Sequence, residues 1–298
     1  MDKRNISTSN SHETVRYFDI DSQIMPGASM LILGKRCSGK SSLLFEILSK
    51  ICKFFNYGLA LTPTQSSRQK FEACMPSCLI DKQSPERLQE FVTTVQTFYD
   101  KAVAAGKAPR NCYLLCDDTA YDDKFMRCKT LSEVFLNGRN FNMTCLLVIQ
   151  YIMKVGPDLR GNADFVFAFY DNNSKIQDKL YEFWFNMMPK STFKDVFARC
   201  TQNYSCLVLD VRKSATSRDW KDCVFWFKAR LPEEIPAFQM CDPDFFRLND
   251  YCKATDSDQR RMRETGSDRI WRLGPDGNIF DVPSCAGGEQ DDDDDSCS

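Results

Sequence analysis

Gly34, Gly39, Lys40 and Ser41 stand in the spacing G-x-x-x-x-G-K-S, over Gly34-Lys35-Arg36-Cys37-Ser38-Gly39-Lys40-Ser41, with Ser42 following. The chemistry open to this octet is polyanion binding. Glycines near its two ends let the backbone turn tightly and approach a ligand closely. The loop amides and the start of a following helix then converge on phosphate oxygens. Lys40 supplies a cation for the β and γ phosphates, and the Ser41 hydroxyl a ligand for Mg²⁺. Residues 34–42 are therefore read as a nucleoside-triphosphate site, with ATP and Mg²⁺ as the expected cofactors. A glycine-rich turn with a solvated lysine is the competing reading, and the flanking elements argue against it.

Hydrolysis also requires carboxylates beside that loop. Asp117 and Asp118 close the apolar run Tyr113-Leu114-Leu115-Cys116. Side chains alternate along a strand, so the two acids should face opposite ways and do different work. Asp117 is expected to hold Mg²⁺ and Asp118 to polarise the attacking water as general base. Gln150 ends the next apolar run; it either orients that water and senses the γ phosphate, or is a polar residue where a strand meets solvent. Arg139 and Arg160 flank that run. Each is either a solvated surface residue or an arginine finger reaching across a subunit interface.

The surrounding elements must position these groups. Ser29 to Gly34 is an apolar run ending in glycine, and Leu43, Leu44, Ile47, Leu48 and Ile51 follow at helical spacing. That strand–loop–helix order is the context a phosphate loop needs. Tyr57 to Pro63 reads as a second strand, and Ser84-Pro85-Glu86 as a helix start with proline at its first position. Strands are further expected at Cys112 to Asp118, Met143 to Gln150 and Asp164 to Tyr170, with helical patterns between them. This alternation predicts an α/β fold, a mainly parallel sheet sandwiched by helices. A helical stretch from about Ser174 to Gln202 precedes two close runs, Ser205 to Val211 and Asp222 to Phe227, which predict a C-terminal β-hairpin.

Composition sets the outer limits. The 298 residues are 43% hydrophobic, enough for one generous α/β domain with appendages. No apolar run approaches the roughly 20 residues that span a bilayer, so an intracellular, non-secreted protein is expected. Fifteen cysteines are an odd count in a long chain with a single histidine, His12. Several, Cys112, Cys116, Cys145, Cys206 and Cys223, lie in apolar runs, where reduced thiols act as small hydrophobes. Glu289 and Asp291 to Asp295 dominate the net charge of −2, leaving the rest of the chain mildly basic. The expected organisation is a flexible segment at 1–23, a nucleotide-hydrolysing domain at 24–246 and a charged extension at 247–298 with a disordered acidic tail. That tail reads as a solubilising end, a DNA mimic folding over a basic channel, or a lure for a basic partner.

The order of these motifs resembles the poxvirus-type genome-packaging ATPases of nucleocytoplasmic large DNA viruses, a branch of the FtsK–HerA superfamily. Besides the loop and Asp117-Asp118, the matching pieces are Phe135 to Asn142, Gln150-Tyr151 and Pro157 to Phe167. Asn203 to Asp210 and Phe225 to Ala229 complete a resemblance covering roughly residues 25–230. Two positions depart from the family pattern: Asn140 stands where a histidine is usual, and Gly161 where a threonine is usual. The resemblance implies a RecA-like core, Gln150 as sensor, and Arg139 and Arg160 as fingers acting in trans within a homo-oligomeric ring. It further implies translocation of double-stranded viral DNA into a capsid, with capsid or portal components as partners. The place of action would be the host cytoplasm or nucleus at sites of virion assembly. Arg212, Lys213, Arg218 and Lys221 could touch DNA phosphates or be a solvated loop. The competing functions are a P-loop kinase, a GTPase and a slow nucleotide-dependent clamp. No Asn-Lys-x-Asp base-reading motif supports a GTPase, and Asp118 argues against the clamp.

Overall fold

The apolar runs become strands whose side chains divide between two buried layers. The computed structural model of the protein describes residues 6–7, 14–247, 270–273 and 279–282. Its main sheet has ten strands: β1 (Ile6–Ser7), β2 (Thr14–Tyr17), β3 (Ser29–Leu33), β4 (Tyr57–Leu61), β5 (Ile80–Asp81), β6 (Cys112–Asp117), β7 (Met143–Ile149), β8 (Phe165–Phe169), β9 (Ser205–Asp210) and β10 (Val224–Lys228). Their order is β1-β2-β10-β9-β8-β3-β7-β6-β4-β5. β8, β3, β7, β6, β4 and β5 run parallel. The expected hairpin is present: β9 pairs antiparallel with β10, and also with β8. β11 (Ile270–Leu273) and β12 (Ile279–Val282) form an antiparallel two-stranded sheet of their own. Among the described residues, no helix is long and apolar enough to cross a membrane.

Alternation assigns each strand residue to a face. In β3, Leu31 and Leu33 join one apolar layer while Met30 and Ile32 join the other. β6 does the same, with Cys112, Leu114 and Cys116 on the first face and Tyr113 and Leu115 on the second. Helices Pro85–Ala104, Lys129–Asn137, Pro157–Asn162 and Lys190–Cys200 cover the first face, and Lys40–Ile51 and Gln65–Phe71 the second. The Pro85–Ala104 helix begins as the sequence indicates, with the Ser84 hydroxyl accepting from the Arg87 amide and proline in the first turn. The core cysteines behave as buried hydrophobes: burial pushes the thiols of Cys74 and Cys200 up to about 12.

One expectation is corrected and another refined. Residues 14–23 are not loose. Thr14–Tyr17 is a strand pairing parallel with β10, and Phe18 is buried edge-on against Phe165, Phe167 and Phe225. Its four-residue alternation is too short to signal a strand, and the partner that orders it lies some 200 residues on. The helical stretch expected from Ser174 is present, but with a break that the sequence reading did not give. Ser174–Leu180 runs into a π-helical turn at Tyr181–Phe185, and Pro189, which has no amide hydrogen to give, opens a second helix at Lys190–Cys200. Most of the 247–298 extension, including the acidic tail, lies outside the described residues; the β11–β12 pair within it went unforeseen.

The tightest steric requirement in the sheet is at Gly58. It sits in register with Tyr113, and a Cβ added there would stand 2.4 Å from the tyrosine ring. Tyr113 is fully buried, so the ring has nowhere to retreat. Gly58→Ala should therefore cost about 1–3 kcal/mol in urea unfolding, and an added Tyr113→Val should recover part of that loss.

Candidate active site

The phosphate loop follows the carboxyl end of β3, which lies between β7 and β8. Its shape needs both glycines. Gly39 has φ 104°, and a Cβ there would lie 3.1 Å from the Phe169 ring. A Cβ on Gly34 would lie 2.7 Å from the Ser38 hydroxyl and 2.8 Å from Phe169 Cβ. Cys37, between them, is also left-handed at φ 59°. Phe169, at the end of β8, thus packs against the loop where side chains would otherwise stand. Gly39 precedes the first residue of the Lys40–Ile51 helix, whose amides open toward the loop. The Ser38 hydroxyl is buried with no hydrogen-bond partner among the described residues.

Lys40 donates to the Lys35 carbonyl at 2.8 Å, which folds its ammonium back over the loop. Burial pushes its pKa down, and the negative charges of Asp118 and Asp117 push it back up. Asp117 ends β6 on the same sheet face as the Lys40–Ile51 helix, two positions after Leu115. Burial raises its carboxyl pKa; a hydrogen bond from Ser67, in the Gln65–Phe71 helix, lowers it, and so does Lys40.

Asp118 reaches the site by a route that alternation does not describe. Continued strand geometry would send it to the opposite face, with Cys116. Instead its backbone is left-handed, at φ 58° and ψ 26°, and re-aims the side chain. Its carboxylate accepts a hydrogen bond from the Gln150 amide, at the end of β7. The two aspartates do diverge, Asp117 toward Ser67 and Asp118 toward Gln150, but a turn rather than the pleat separates them. Lys40, Asp117, Asp118 and Gln150 are thus gathered at one sheet edge.

Arg139 and Arg160 are not brought there. The turn holding Arg139 precedes β7 and Asp164 precedes β8, so both mark the sheet edge opposite the loop. Arg139 is exposed, 3.9 Å from the buried Asp164 carboxylate, which itself accepts from the Ser29 amide. Arg160 donates to the Val155 carbonyl and stacks 3.9 Å over the Phe183 ring. Arg212 and Lys213 pair with the buried Asp210 rather than standing free. At Gly161 an added Cβ meets nothing within 4 Å, so packing does not force the departure from threonine. Sequence reasoning missed Ser67, Phe169 and Tyr204. Tyr204 borders Gly39 with its Cβ 3.3 Å from where a glycine Cβ would be. Each is an ordinary residue type in an ordinary context; only the fold brings it to the loop.

Comparison with known proteins agrees with this architecture. An uncharacterized protein of Frog virus 3 (isolate Goorha) is 28% identical over 204 residues, 68% of this chain and 62% of that protein. This chain thus spans less than two thirds of that relative's length. An uncharacterized protein of Acanthamoeba polyphaga mimivirus is 28% identical over 220 residues, 72% of this chain and 76% of its own length. Among solved structures, the genome packaging NTPase B204 from Sulfolobus turreted icosahedral virus 2, in complex with AMPPCP, is 16% identical with a TM-score of 0.50. That likeness covers 70% of this chain and all of the other, and it concerns the fold. The family described as "Poxvirus A32 protein" matches residues 15–188, more than half of the chain and all of the loop, Asp117, Asp118 and Gln150. The chain belongs to the poxvirus A32 protein family.

Proposed function

We propose that this protein is an ATP-hydrolysing motor that drives double-stranded viral DNA into a capsid as a ring of identical subunits. The observation that carries the hydrolytic part is the left-handed turn that sets Asp118 against Gln150 at the edge shared with Lys40 and Asp117. A loop that only bound nucleotide would have no use for a re-aimed second carboxylate. A kinase would need its acceptor, not a water, held there.

The loop amides and Lys40 bind the phosphates, and Ser41 and Asp117 would hold Mg²⁺. The donor set fits: a hydroxyl at the helix start and a carboxylate whose burial is only partly offset by Lys40. When bound, the ion neutralises charge on the phosphate oxygens. Asp118 takes the proton of the attacking water, and Gln150 fixes the carboxylate and orients the water. Arg139 suits a trans-acting finger better than Arg160, because it is solvent-exposed with one long ion pair, whereas Arg160 is stacked and hydrogen-bonded. The DNA-translocating and capsid-binding roles rest on family membership, with basic side chains gripping phosphates without reading sequence. Action at sites of virion assembly in the host cell belongs to the same reading.

In a hydrolysis assay with and without double-stranded DNA, DNA should stimulate the wild type. Asp118→Asn should lower kcat about 10²–10⁴-fold while retaining nucleotide binding. Hydrolysis indifferent to DNA, or an unimpaired variant, would refute the motor reading. Lys40→Ala should abolish nucleotide binding while leaving the circular dichroism spectrum intact. A third expectation concerns stability. A carboxylate with a raised pKa destabilises the fold wherever it is ionised, so the cost is present at neutral pH and fades as pH falls through the raised value. Asp117→Asn should therefore melt above wild type at neutral pH in EDTA, with the gap closing on acidification.

A further inference from the structure

A cleft of about 1320 Å³ opens beside the phosphate loop, larger than the roughly 300–1,000 Å³ of most small-ligand pockets. Residues 37–42 line it on one side, residues 17–21 and 226–231 on the other, and Asn203 and Tyr204 also border it. None of Asp117, Asp118 and Gln150 lines it. The groups that would act on a terminal phosphate lie toward β6 and β7, whereas the cleft is walled by β10 and by the turn before β9. A triphosphate lying along the loop, γ phosphate toward Asp118, therefore delivers its nucleoside into this cleft.

Tyr204 is held there by an unusual backbone. Asn203 and Tyr204 are consecutive left-handed residues, at φ 51° and 62°, a conformation that L-residues with side chains avoid and that clusters at ligand sites. The turn clamps the Tyr204 backbone on Gly39, with its carbonyl oxygen 3.4 Å from the position of a Gly39 Cβ. It leaves Tyr204 70% exposed. The carboxylates of the cleft wall, in contrast, are committed within the protein. Glu46 accepts from Arg230 and Asp21 from Lys50, each at 2.7 Å. Asp19 accepts from the Ser22 hydroxyl at 2.7 Å, and Glu234 from the Leu231 amide at 3.1 Å. The wall therefore offers a flat ring, and each of these acids already accepts a hydrogen bond from within the protein.

We infer that the cleft holds the nucleoside of the bound triphosphate by stacking its base on Tyr204, without reading the base edge, so that ATP and GTP are accepted alike. Stacking tolerates any base because every base has a π face. The inference rests on the phosphate-loop reading given above, and the two fail separately.

The test is calorimetric titration of the full chain with ATPγS, GTPγS and tripolyphosphate, which has no base. Wild type should bind the two nucleotides within tenfold of each other. Tyr204→Ala should weaken both by about tenfold and leave tripolyphosphate unchanged, while Tyr204→Phe should bind like wild type. Unchanged nucleotide affinity in Tyr204→Ala would overturn the inference. So would a loss extending equally to tripolyphosphate, which would make Tyr204 a prop for the loop. A wild-type preference beyond tenfold overturns it whatever the variants do. Wild type that binds neither nucleotide nor tripolyphosphate would sink the phosphate-loop reading itself.

Discussion

A lysine and two carboxylates share one partly buried edge of the sheet, and the arrangement around them answers the cost of taking charge out of water. Burial lowers the pKa of Lys40 and raises that of Asp117, pushing both toward their neutral forms; Asp118 and Asp117 offset part of this for Lys40, and Ser67 and Lys40 offset part of it for Asp117. Each charge offsets part of the cost of burying the other. β3 and β6 lie on either side of β7, and this order brings the loop lysine and the strand-end acid to one end of the sheet.

The loop itself depends on exclusion. Gly34 and Gly39 are vacant of side chains, and Phe169 packs closely against both positions. An aromatic ring at the end of the neighbouring strand thus backs the cradle, so the loop's shape is inherited from the β3–β8 pairing. The same strand carries Phe165 and Phe167 into contact with Phe18, which ties the N-terminal strand to the layer beneath the nucleotide loop.

Much of this was legible in the sequence because the signals were local. The octet at Gly34 to Ser41 requires four residue types at fixed spacing, and the buried parallel strands are continuous apolar runs that need no partner to be recognised. What escaped was set by distant neighbours. Thr14–Tyr17 is a strand only because β10 accepts it. Asp118 belongs with Gln150 because one residue leaves the strand conformation, and nothing in Asp-Asp-Thr encodes that turn by composition. Gln150 is ambiguous as a residue type, and only the fold places its amide against Asp118. Arg139 and Arg160 flank β7 in the chain, yet strand direction carries them away from the loop; adjacency in sequence to a strand end says nothing about which end.

The parallel pairing of β2 with β10 has a consequence for how the chain is made. β2 waits for the last strand of the main sheet, because Arg16 and Tyr17 find their sheet partners only at Phe225 and Trp226. On the ribosome, the loop and its carboxylates emerge while Arg16 and Tyr17 still lack their β10 partners. The wall of the cleft beside the loop closes only when synthesis has passed β10. Maturation of the site is thereby timed by translation: a chain released early carries the phosphate loop but lacks the strand that seals its flank.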